Sequence, residues 1–119
     1  MSTQIGRQPS DEQFDTAAAT LKLLADPTRL RIIWALLHGE HPVNELAEHV
    51  GVQASAVSQH LAKLRLARIV AARQEGTRVF YRLTNEHARQ LVTDAIFQAE
   101  HALGGTPAHH ARAADLVSI

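Results

Sequence analysis

The chemistry open to this chain is set by what it carries and by what it lacks. It has 8 histidines and no cysteine among 119 residues. Without thiolates there is neither a disulfide framework nor a sulfur-ligated metal site, so any metal is held by nitrogen and oxygen donors. Such donors stand in the last third of the chain at His87, at Glu100 and His101, and at His109 and His110. There is no His-Glu-x-x-His, no nucleophile elbow and no phosphate loop, which argues against an enzyme. The remaining enzymatic alternative, a small metalloenzyme on the His/Glu cluster, would need a pocket with an open metal position. A second group offers different chemistry. In Ala54-Ser55-Ala56-Val57-Ser58-Gln59-His60, with Lys63 just beyond, short and extended polar groups are spaced among small residues. Gln59 suits a bidentate pair with adenine, Ser55 and Ser58 read less strictly, and Lys63 suits phosphate. His60 is expected beside DNA or packed inside its motif.

Elements must position these groups. Ser10 with Gln13 makes a capping box, and Phe14, Ala17, Ala18, Leu21 and Leu24 recur at helical spacing after it. Asp26-Pro27 ends that helix and starts a second, with Asp26 as N-cap and Pro27 at the first helical position. Its buried stripe is read as Leu30, Ile33, Trp34 and Leu37, with Gly39 as the stop. A short third helix is expected over 44–50, closed by Gly51, and a fourth over 54–66 with Val57, Leu61 and Leu64 inward. The period then changes to that of strands at 69–73 and 78–83, with Glu75-Gly76 as the turn between them. Asn85 caps a fifth helix whose apolar positions include Leu91, Val92, Ala95, Ile96 and Ala99, and Gly104, Gly105 and Pro107 end it.

The fold class is therefore mainly α with a β-hairpin wing: a winged helix-turn-helix in which the third and fourth helices form the motif. Residues 1–9 are expected to be a flexible arm, 10–104 the domain and 105–119 a histidine-containing tail. In such a fold the fourth helix enters the major groove, and Arg73 and Arg78 on the wing meet flanking phosphate or minor groove. The net charge of zero hides an asymmetry that suits this. Residues 1–50 hold 4 Lys and Arg against 7 Asp and Glu, residues 51–89 hold 7 against 2, and residues 90–119 hold 1 against 3. The basic middle contains the reading helix and the wing. No apolar run is long enough to span a membrane and the first residues lack a hydrophobic signal core, so a cytoplasmic protein is expected.

This order of elements resembles the ArsR/SmtB family of metal-responsive repressors. The resemblance rests on Leu23-Leu24-Ala25-Asp26-Pro27-Thr28-Arg29-Leu30-Arg31-Ile32, on Val43-Asn44-Glu45-Leu46-Ala47, on Ser55-Ala56-Val57-Ser58-Gln59-His60-Leu61-Ala62-Lys63-Leu64, and on Val79-Phe80-Tyr81-Arg82-Leu83. It spans about residues 14–103. The resemblance implies a homodimer built largely from the first and fifth helices. It also implies repression of double-stranded operator DNA by the unliganded form and release when an inducer binds.

The family's thiolate sites need cysteine, so arsenic, lead or cadmium sensing of that kind is not expected. The family's zinc and cobalt site on the fifth helix uses Asp-x-His and His-x-x-His. Those places hold Asn85, His87, Gln98 and His101, so two of four ligands are kept. The strings Asn85-Glu86-His87, Ala99-Glu100-His101 and His109-His110 resemble the nickel- and cobalt-responsive members more closely. That resemblance implies His87, Glu100, His101, His109 and His110 as ligands of Ni2+ or Co2+, with Zn2+ as an alternative and a non-metal inducer as another. His87 and His101 are fourteen residues apart, roughly 21 Å along a helix axis. One chain cannot close a site with both, whereas two antiparallel copies of the helix can, giving two equivalent sites.

Overall fold

Capping chemistry cuts the helical half of the chain into separate rods. The computed structural model describes residues 7–104. Helix α1 (Asp11–Leu24) opens at Ser10, whose hydroxyl accepts from the Gln13 amide at 3.0 Å while the Gln13 side chain accepts from the Ser10 amide at 2.8 Å. Helix α2 (Pro27–Leu36) opens at Asp26, whose carboxylate accepts from the Arg29 amide at 3.1 Å. These bonds satisfy amides that a helix start leaves unpaired. Strand β1 (His41–Pro42) leads into α3 (Val43–Val50), which stops at Gly51 with φ +79°, a left-handed conformation that favours glycine. Then come α4 (Ala54–Leu66), β2 (Val70–Glu75), β3 (Arg78–Leu83) and α5 (Glu86–Ala102), the last capped by Asn85, which accepts from the Ala88 amide at 3.1 Å.

The core forms where α2, α3, α4, β2 and α5 meet. Ile32, Ile33, Leu36, Leu46, Val57, Leu61, Leu64, Val70 and Val92 are its fully buried side chains. Each contributes about 1.5–3 kcal/mol through removal from water. Val57, Leu61 and Leu64 hold α4 by its inner side, as its sequence requires, so the opposite side is free to face a partner. Arg89 ties α5 down by donating to the Leu37 carbonyl just past α2.

The wing is a three-stranded antiparallel sheet in the order β1-β3-β2. Sequence periodicity shows two of these strands. The third, only two residues long, pairs His41 with Tyr81 and Pro42 with Phe80 and is too short to show a period. The β2–β3 ladder runs from Val70↔Leu83 to Glu75↔Arg78, so Glu75 belongs to the strand and the turn is Gly76-Thr77.

The stripe assigned to the second helix is corrected. Ile32, Ile33 and Leu36 face the core, while Trp34 is 42% exposed and Leu30 and Leu37 are half-buried. Apolar residues occupy nearly every side of this helix, so periodicity alone could not choose the phase. The exposed apolar residues lie elsewhere too. On α1 only Leu24 is buried, and Phe14 and Leu21 are 58% and 55% exposed; on α5 Phe97 is 53% exposed, with Leu91, and Leu103 just past the helix, also open.

Candidate nucleic-acid interface and sensor helix

The helix-turn-helix is α3, the turn at 51–53 and α4. Ser55, Ser58, Gln59 and Lys63 are all exposed on α4, on the side away from Val57, Leu61 and Leu64. None of the four side chains is engaged in a hydrogen bond or ion pair with any described residue. They form a polar strip with its donors and acceptors open, as groove reading requires. His60 differs. It is half-buried, and its Nδ1 accepts from Arg29 Nε at 3.0 Å. It therefore packs within the motif, one of the two places expected for it. Beside it, the Asp26 carboxyl is held below the ordinary carboxylate range, chiefly by the Arg29 amide that donates to it; the Thr28 amide and the nearby Arg29 guanidinium add to this, against a desolvation cost.

The wing sorts its cations by face. Directly opposed residues in the ladder share a face, so Arg82 with Ala71, Phe80 with Arg73, and Arg78 with Glu75 lie together. Two cations lie against the Phe80 ring: Arg73 is 4.9 Å and Arg78 5.1 Å from its centre. Arg73 donates to Glu40 and to Glu75, the latter at 2.7 Å. That hydrogen bonding holds the Glu40 carboxyl below the ordinary carboxylate range and raises the Arg73 proton affinity. Arg78 has only a distant pairing to Glu45 at 3.8 Å. Arg82 is exposed and in no ion-pair contact with a described residue, and its charge acts on Glu40 only from a distance. Arg82 is not among the residues the sequence singles out, although its even-numbered spacing from Arg78 places the two on one face of the wing.

His87, Glu100 and His101 are exposed on α5, and no described residue bonds their side chains. Imidazole and carboxylate donors so placed suit a divalent transition ion. His109 and His110 lie outside the described residues. Within one chain, and among the described residues, no group of three or more His, Asp or Glu side chains is placed to hold a metal ion. Asp94, between the two histidines, accepts from Gln90 at 2.9 Å. A separate cleft of about 750 Å³ opens between α2 and α5, with Leu30, Trp34 and Ile96 in its walls and Arg31, His38 and His49 among its polar groups.

A reading helix beside an arginine-faced wing defines a winged helix-turn-helix DNA-binding regulator. Residues 26–72 match the family described as bacterial regulatory protein, arsR family. The regulator KmtR of Mycobacterium tuberculosis is 54% identical over 109 residues, covering 92% of this chain and 84% of that protein. NmtR of the same organism is 40% identical over 103 residues, covering 86% of each. Among solved structures, the homodimeric winged helix-turn-helix domain Mb0332 of Mycobacterium bovis, described as a possible ArsR-family regulator, superposes with a TM-score of 0.69. It is 33% identical, and the match covers 80% of this chain and 92% of that one. The chain belongs to the arsR family of bacterial regulatory proteins. Family and fold are those of transcriptional regulators, not enzymes. No helix among the described residues is long and apolar enough to cross a membrane.

Proposed function

We propose that this chain is a homodimeric transcriptional repressor that holds operator DNA without metal and leaves it when nickel or cobalt binds. The observation that carries this reading is the placement of His87 and His101, neither bonded by a described residue, on one continuous helix whose apolar residues Leu91 and Phe97 are also open. The same helix thus offers ligands and a dimer seam. His87 of one copy, with Glu100 and His101 of the other and His109 and His110 of the tail, would hold the ion. A bound divalent ion supplies charge and directional bonds across the seam.

The protein residues do the rest. Ser55, Ser58 and Gln59 read base edges, and Lys63, Arg78 and Arg82 meet phosphate. Arg73 reaches DNA only if it leaves Glu40 or Glu75. Metal binding that favours one angle between copies changes the spacing of the two reading helices. That is a coupling free energy, so DNA must weaken metal binding by the same factor. Anisotropy of a labelled duplex selected by this protein from a random pool, titrated with nickel, cobalt and zinc, tests the reading. His101→Ala should abolish the response. A second reading, favoured by the α2–α5 cleft, is an organic inducer with α5 serving only dimerisation; His87→Ala with His101→Ala would then leave regulation in cells intact.

A further inference from the structure

The guanidinium of Arg29 joins three elements that carry different parts of the function. Its Nε donates to His60 Nδ1 on the reading helix at 3.0 Å. Its Nη1 donates to the Leu23 carbonyl in the last turn of α1 at 2.9 Å. Its own backbone amide is the one that Asp26 caps, which fixes the root of the side chain at the start of α2. The two side-chain bonds are made from a half-buried position by a rigid planar fork that cannot deprotonate. Lysine cannot present two divergent donors in the same plane. An imidazole that accepts at Nδ1 carries its proton on Nε2, so Arg29 also selects the tautomer of His60.

We infer that Arg29 is a positioning residue for DNA reading: through His60 it sets the placement of α4, and through Leu23 it links that placement to α1. Helix α4 is otherwise anchored by the apolar contacts of Val57, Leu61 and Leu64, which resist lifting more than sliding along the axis. A directional bond to the middle of the helix supplies what apolar packing lacks. Helix α1 buries only Leu24, so the bond to the Leu23 carbonyl is a specific tie between an exposed helix and the body of the domain. Ser58, Gln59 and Lys63, one to three residues from His60, are the groups whose reach depends on this placement.

The test is a double-mutant cycle on the full-length protein, read as affinity for the duplex selected by the wild type in the absence of metal. The variants are Arg29→Gln, His60→Leu and the pair, all assayed under conditions where urea titration shows them folded. His60→Asn is added because its carbonyl oxygen can take the place of Nδ1. Each of the first two should weaken binding about tenfold, and the pair should be no weaker than Arg29→Gln alone, because that substitution already breaks the bond that His60→Leu breaks. His60→Asn should keep affinity within about threefold. Affinity of Arg29→Gln within twofold of wild type, or additive losses in the pair, overturns the inference. So does loss of binding by His60→Asn equal to that of His60→Leu, which would place His60 itself on DNA. Failure of the wild type to select any duplex would instead count against DNA reading as a whole.

Discussion

Arg73 grips Glu40 through both carboxylate oxygens, at 2.9 and 2.8 Å, across 33 residues of chain. The pair ties the wing to the segment that leads into β1, and it leaves Arg78 and Arg82 as the less committed cations of the wing. The salt dependence of DNA binding separates the two roles. Removing a side chain that neutralises one phosphate lowers the slope of log affinity against log salt by about 0.9. Arg78→Ala and Arg82→Ala should each show that decrease. Arg73→Ala should leave the slope nearly unchanged and instead speed amide exchange in β2 and β3. A decrease of a full unit with Arg73→Ala would show that it abandons Glu40 for phosphate.

The cap at Asp26 should be visible in stability. Replacing it with Ala removes an acceptor at the start of α2, at a cost of about 1 kcal/mol. Its carboxyl titrates below the ordinary value, so it stabilises the fold fully above the unfolded-state range of about 4 and loses that contribution as pH falls further. Asp26→Asn keeps an acceptor without the charge. Urea midpoints of wild type and Asp26→Asn should therefore differ at pH 7 and converge toward pH 3. A gap that widens in acid would reverse the sign.

The proposed dimer would cover the open apolar residues on α1 and α5. Leu21→Glu or Phe97→Glu should give monomers in sedimentation with helical circular dichroism retained. Operator affinity should drop about a hundredfold, because two linked reading heads bind far better than one. Dimers that survive both substitutions would place the seam elsewhere.

Protons compete with metal for imidazole nitrogen. Apparent nickel affinity should fall by about tenfold or more between pH 8 and pH 6, as protons take up the ligating nitrogens. A flat profile would argue for oxygen ligands alone.

Local rules explain which parts of this were legible from sequence. Ser10, Asp26, Gly51 and Asn85 act through neighbours three or four residues away, and each stands in the structure as its type requires. The polar strip of α4 was legible for the same reason, since Val57, Leu61 and Leu64 fix the phase of one helix. Pairings between distant segments were not. Nothing local to Arg29 names His60, thirty-one residues on, and nothing local to Arg73 names Glu40. Trp34 misled because apolar residues lie on nearly every side of its helix, so an apolar side chain that lines a cleft has the same signature as a core residue.

The most direct measurement is the affinity of the selected duplex at saturating nickel or cobalt, for wild type and His101→Ala in parallel. Wild type should lose affinity by about tenfold or more, within the usual range of allosteric coupling, and His101→Ala should lose none. Equal affinity with and without metal in the wild type would contradict metal-driven release, whatever the ions do to the protein alone.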